Sequence, residues 1–338
     1  MFYDNICYRL KKKCKYMNKS EREETLRLKG IDAVAGIMII NMITYHCHSL
    51  PFHIFLSFFM PWFFFKSGMF YKRQSVKDCI QKSASKLLYP FATFTILGYL
   101  VYIIIFLSEG NHDLTDYFVI PLKELFFDGS LYGNKPLWFL FSFFVVKVIF
   151  SIVENNMKYT IFIIIPAIIF VYMLYLYDNP LPRYFGNISS GLVFYTLGYN
   201  LRKIQFLPSV SVIAIVVYLL FAIFGITFVD MFPNTLRQGV YLHWFVFSVA
   251  GCITFNFIFE KIPYRFNILL WIGKNSMILY VTHYMVIHLY YIITEPFDIN
   301  SKLRMLGLFV TLAIVEYFLV LLFKSPKMQF LLKPVKKG

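Results

Sequence analysis

Apolar runs of about twenty residues, separated by short polar connections, fill the chain from residue 31 to residue 323. At 1.5 Å per residue a run of that length spans the roughly 30 Å hydrocarbon core of a bilayer. The runs lie at 31–48, 52–72, 87–108, 136–154, 159–177, 186–202, 209–229, 238–260, 267–293 and 303–323. The pattern predicts an all-α, polytopic integral membrane protein with about ten transmembrane helices. It divides the chain into a basic cytoplasmic segment at 1–28, a membrane-embedded domain at 29–325 and a basic cytoplasmic tail at 326–338.

Composition strengthens this reading. Of the 338 residues, 59% are hydrophobic and only 15% charged, more apolar surface than a soluble domain can hide. The net charge of +15 does not imply nucleic acid. It is concentrated at 9–29, 72–86, 202–203 and 324–337, beside apolar runs, where it sets topology and attracts anionic membrane lipid. With ten spans, all of these basic segments fall on one side, expected to be the cytoplasm, together with both termini. The acidic connection 108–135 then lies outside and is expected to fold over the outer mouth. The five cysteines are scattered and odd in number, so no disulfide framework and no metal site is expected. The first 25 residues lack the continuous apolar region of a cleaved signal peptide.

Ionisable residues inside apolar helices are costly and point to function. Lys66, Lys147 and Glu316 each lie about six or seven residues from the cytoplasmic ends of their runs. Opposite sign at one depth suggests that Glu316 pairs with Lys66 or Lys147, with snorkelling of the lysines as the alternative. His46 and His283 each lie about 15 residues into their runs, some 22 Å up, so both reach the outer half of the bilayer. Histidine suits proton transfer near neutral pH. The alternatives are an interfacial helix end for His46 and a hydrogen-bonded core residue for His283.

Five short motifs occur in order: IDAVAGIMIINMITYH from Ile31, MPWFFFKSGMF from Met60, KLLYP from Lys86, PLWFL from Pro136 and IGKNSMILYVTH from Ile272. Together they resemble the acyltransferase-3 family of integral membrane sugar O-acyltransferases, and within it the fucose 4-O-acetylase-like branch. The resemblance runs from about Leu28 to Phe323. It implies a bacterial inner-membrane enzyme that passes an acyl group, expected to be acetyl, from acyl-CoA to a sugar hydroxyl. The acceptor is a surface polysaccharide or a lipid-linked oligosaccharide precursor. Acetyl-CoA is then the donor substrate, and neither metal nor nucleic acid is involved. His46 and His283 match the family's two histidines, and Lys86 its cation before Leu-Leu-x-Pro. Where the first motif has a basic residue, this chain has Ala35, and where a His often precedes Met-Pro it has Phe59.

The chemistry needs a base for the hydroxyl, a donor for the oxyanion and a thioester held beside the alcohol. His46 and His283 are the catalytic candidates. Lys66, Lys86, Arg73 and Lys29 are candidates for the phosphates and carbonyl of the donor, with Lys66 replacing the cation missing at Ala35. Trp138 offers a ring to stack on an adenine or a sugar, and Arg183 and Tyr184 are acceptor candidates. Two rivals remain: a glycan or lipid transporter or flippase, and an acyltransferase fold without activity. The topology is open to test in a cysteine-free background. A cysteine at Asn111 should react with an impermeant reagent in intact cells and one at Ser75 should not; the reverse labelling would discard the ten-span arrangement.

Overall fold

The computed structural model describes residues 19–47, 54–110, 113–176, 182, 184–225, 241–262 and 267–334, with side chains omitted at 19–28, 175 and 176. The described residues are helical, with no strand among them. In order the helices are α1 (Lys19–His46), α2 (Phe59–Met69), α3 (Val76–Ser83), α4 (Tyr89–Ser108), α5 (Leu114–Asp128), α6 (Trp138–Asn156) and α7 (Ile164–Leu176). They continue as α8 (Tyr184–Leu201), α9 (Pro208–Phe224), α10 (Tyr241–Lys261), α11 (Asn267–Lys274), α12 (Ser276–Thr294) and α13 (Ser301–Lys324). Five helical stretches are long and apolar enough to cross a membrane: Val76–Ser108, Leu114–Asn156, Tyr241–Lys261, Ser276–Thr294 and Ser301–Lys324. Several such helices make this a multi-pass membrane protein.

Helix α2 lies at the heart of the bundle. Eight of its eleven residues are buried, from Phe59 to Met69. Such an all-round apolar helix has no face to give to water or to lipid and belongs in the interior. It packs against α8 through paired glycines. A Cβ on Gly68 would run into the Tyr195 carbonyl, and one on Gly198 would run into the Phe65 carbonyl. The two backbones therefore touch, as small residues allow between membrane helices. The same device joins α1 to α11, where Gly36 abuts Leu269 and Gly273 abuts Asp32. Polar links finish the centre. Trp62 Nε1 donates to Asn256 Oδ1 at 2.9 Å, and Asn256 Nδ2 donates to Gln205 Oε1 at 3.0 Å. These bonds tie α2, α10 and the α8–α9 turn together, with every partner supplied from within the protein.

Three features differ from the reading of the sequence. The run 267–293 is not one helix. It breaks at Asn275 between α11 and α12, where Asn275 Nδ2 donates to the Trp271 carbonyl at 2.6 Å. The close approach at Gly273 and the side-chain bond of Asn275 replace helix continuation there, and apolar periodicity gives no sign of either. The connection 108–135 contains a helix, α5, in place of a simple loop. Asp113 caps it by accepting from Thr115 N at 2.8 Å, and Gly129, with φ of +73°, ends it. Finally, α1 begins at Lys19, so the basic segment and the first apolar run share one helix across residue 28.

Candidate active site

His46 ends α1 and His283 lies on the second turn of α12. The structure brings them together, with ring centroids 5.4 Å apart. His283 is fully buried, whereas His46 is half-buried and lines a small pocket of about 50 Å³ with Tyr45, Lys135, Trp138 and Tyr280. His283 Nδ1 lies 2.9 Å from the Tyr280 carbonyl and 3.0 Å from that of Leu279. Carbonyls only accept, so Nδ1 carries the hydrogen and Nε2 keeps its lone pair. That Nε2 is buried without a hydrogen-bond partner. The ring of Tyr284 adds an edge-on contact to His46 at 5.1 Å.

The turn carrying His283 is held from several sides. The Tyr280 hydroxyl donates to the Pro136 carbonyl. Asn134 Nδ2 donates to the Val281 carbonyl at 2.9 Å. The Thr282 hydroxyl lies 2.6 Å from Glu316 Oε2 and 2.8 Å from the Ile278 carbonyl. Side chains locked by neighbours in this way give a reacting group a fixed geometry. Asn134 and Tyr280 were not singled out in the sequence. Tyr280 stands inside the fifth motif, and Asn134 stands two residues before the fourth, so both signals were there to find.

A second and larger cavity, about 330 Å³, adjoins the first. Tyr280 lines both. Its walls are mostly apolar, including Ile39, Phe63, Phe139 and Phe143, with Lys66 and Ser67 among the few polar groups. The Lys66 ammonium sits 5.2 Å from the Trp62 ring centre. Ile39 stands one helical turn above Ala35, so the position of the absent cation lies just below this cavity on the same face of α1.

The pairing expected for Glu316 is not formed. Its partner is the Thr282 hydroxyl, and Lys147 places its ammonium 5.7 Å from the Phe143 ring centre. Depth along two helices cannot tell which way their side chains point, and the lysines point elsewhere. Of the other candidates, Lys86 is exposed next to Leu87 of the larger cavity, and Lys29 is exposed at the start of the described side chains of α1. Arg73 is exposed and meets Glu154 at 3.5 Å. Trp138 belongs to the His46 pocket and not to the Lys66 cavity. Tyr184 packs on Phe141 and Phe185, outside both cavities. Arg183 lies outside the described residues. Among the described residues no group of three or more His, Cys, Asp and Glu side chains is placed to hold a metal ion.

A family model described as an acyltransferase domain, that of the acyltransferase-3 family, matches residues 28–323. The chain belongs to the acyltransferase-3 family. No curated protein and no solved structure matches it. As a member of that family the protein is an acyltransferase, and its family domain takes in both cavities and both histidines.

The hydroxyl partner of Glu316 can be tested against the ion-pair alternative by thermal unfolding of the purified protein. Glu316→Gln keeps an acceptor for Thr282 and should unfold close to wild type. Glu316→Leu should be destabilised by about 1–2 kcal/mol, the range for losing a buried hydrogen-bond partner. Equal damage from both variants would favour a charge partner instead.

Proposed function

We propose that this acyltransferase moves an acyl group, acetyl in the simplest case, from acyl-CoA to a sugar hydroxyl. The acceptor is a cell-surface polysaccharide or its lipid-linked precursor. The observation that carries the reading is the pair of adjoining cavities, one holding Lys66 and the other His46, with Tyr280 between them. Such an arrangement lets a donor and an acceptor approach from different ends and meet. The basic segments argue that their face is cytoplasmic, and the family resemblance is what points to the bacterial inner membrane. Residues 29–325 form the catalytic domain in this reading, flanked by the basic segments 1–28 and 326–338.

His46 is the base. It takes the hydroxyl proton as the sugar oxygen bonds to the thioester carbonyl carbon. The tetrahedral intermediate collapses, the carbon–sulfur bond breaks, and the CoA sulfur leaves with the proton from His46. His283, whose Nδ1–H is committed to backbone carbonyls, offers an open Nε2 lone pair beside the imidazolium that forms in between. Lys66 supplies the positive charge that Ala35 lacks, toward the thioester oxygen or a donor phosphate. Trp138 and Tyr45, in the His46 pocket, provide ring faces suited to a sugar.

The reading is tested by incubating membranes or purified protein with labelled acetyl-CoA and recovering O-acetylated glycan. His46→Ala should insert normally and lose transfer by about 10²-fold or more, the scale of a general base. Lys66→Met should raise the apparent KM for acetyl-CoA more than Lys66→Arg does. Turnover near wild type in His46→Ala would remove that residue from its role, and the absence of any labelled glycan with wild-type protein would remove the reaction itself.

A further inference from the structure

A third cavity, about 540 Å³, opens where α2, α6 and α8 end. It differs in kind from the other two. Its lining includes Arg73, Asn155, Asn156, Lys158, Thr160 and Asn200, with the rings of Tyr159 and Tyr199. This is a wide polar cleft, and the segments that supply its lining are close in the sequence to Lys72, Lys77, Lys82, Arg202 and Lys203. Nothing in the catalytic scheme above uses it.

The cleft has the components for binding a charged heteroaromatic group. Tyr159 is 56% exposed, with one edge-on contact to Phe162 at 6.1 Å, and Lys158 holds its ammonium 5.2 Å from the ring centre. Arg73 has a side chain 69% exposed and is anchored by Glu154 at 3.5 Å, which orients the guanidinium while leaving donors open. The Arg202 guanidinium lies 4.5 Å from the ring centre of Tyr199, which lines the cleft. The floor is fixed: Asn155 Nδ2 donates to the carbonyls of Gln74 and Ser151, and Asn200 Nδ2 donates to Thr160 Oγ1 and the Thr196 carbonyl. Both amides therefore commit their donors to the protein, and Asn200 Oδ1 also lies 3.4 Å from the Thr160 hydroxyl, so the two side chains are held in place.

The distance to the Lys66 cavity matters most. Phe70 lines that cavity and Arg73 lines the cleft. The two residues between them, 71 and 72, are not helical. Three residues of extended chain reach at most about 10 Å. A lining residue of one cavity thus stands within about 10 Å of a lining residue of the other, a span that a flexible linear arm can cross. The buried ring of Tyr71 fills the ground between, 5.0 Å from Phe150 and 5.7 Å from Tyr199.

We propose that this cleft holds the nucleotide end of a CoA-type donor, a 3′-phosphorylated adenosine 5′-diphosphate, whose thioester arm runs past Phe70 into the Lys66 cavity. The adenine lies on Tyr159, and Arg73 and Lys158 meet the phosphates. This rests on the reading of the donor as acyl-CoA. It keeps Arg73 from the basic connection 72–86 and shifts the rest of the nucleotide site to the ends of α6 and α8.

The probe is adenosine 3′,5′-bisphosphate, titrated into the purified full-length protein in lipid nanodiscs. In parallel, transfer kinetics are measured with acetyl-CoA and with acetyl-pantetheine, which lacks the nucleotide. Lys158→Ala and Tyr159→Ala change exposed residues and should fold normally; Arg73→Ala is the third variant. Each should weaken bisphosphate binding about tenfold, the size of one lost charged hydrogen bond or stacking contact. The KM for acetyl-CoA should rise in step while that for acetyl-pantetheine stays put. Binding and KM indifferent to all three substitutions would overturn the cleft assignment, as would wild-type protein that does not bind the bisphosphate. Bisphosphate binding that depends on Lys158 and Tyr159, without transfer from either donor, would keep the cleft and discard acyl transfer from CoA.

Discussion

In a hydrocarbon surround, a polar atom without a partner inside the protein costs several kcal/mol, and no water stands ready to relieve it. The turn of α12 from Tyr280 to His283 meets most of that demand and leaves His283 Nε2 open. Four successive residues use a hydroxyl, a carbonyl, a second hydroxyl and an imidazole, and their partners come from the 132–137 segment, from α13 and from α12 itself. The bonds that satisfy these atoms also set the ring of His283 beside that of His46. Satisfying the polar groups and positioning the site are here one task.

Close backbone contact is the second organising device. The reciprocal glycine pairs, Gly68 with Gly198 and Gly36 with Gly273, draw α2 onto α8 and α1 onto α11 until main chain meets main chain. Without such pairs, side chains would hold the helix axes about 8–10 Å apart. The contact of α1 with α11 leaves a different face of α1 free for the Lys66 cavity, which Ile39 enters one turn above Ala35. The contact of α2 with α8 directs Phe63, Lys66 and Ser67 toward that same cavity. The phenylalanine run is thus shared between a buried face and a cavity wall.

Helical class and the level of the histidines were legible in the sequence, because both follow from counting residues along a rise of 1.5 Å. The angular position of a side chain around its helix was not. That is why equal depth suggested a lysine for Glu316 when the structure gives it Thr282. The break at Asn275 was hidden because apolar residues continue on both sides of it. Helix α5 could have been read: Leu114, Phe118, Leu122 and Phe126 recur every four residues, and all four are exposed on one face. Acidic residues between them drew attention to the connection's charge and away from its period. The placement of Trp138 beside His46 depends on where α6 begins relative to α1, a relation between distant segments that one strand of sequence does not hold.

The tether between Tyr280 and Pro136 has an electrical meaning. A bundle hollowed from two directions is in danger of becoming a leak for the ion gradients its membrane maintains. Tyr280 stands where the hollows approach, and beyond it the space narrows to about 50 Å³, room on the order of one or two water molecules. The tyrosine, its hydroxyl anchored to the Pro136 carbonyl, lines both hollows, so a leak from one to the other would have to pass its ring.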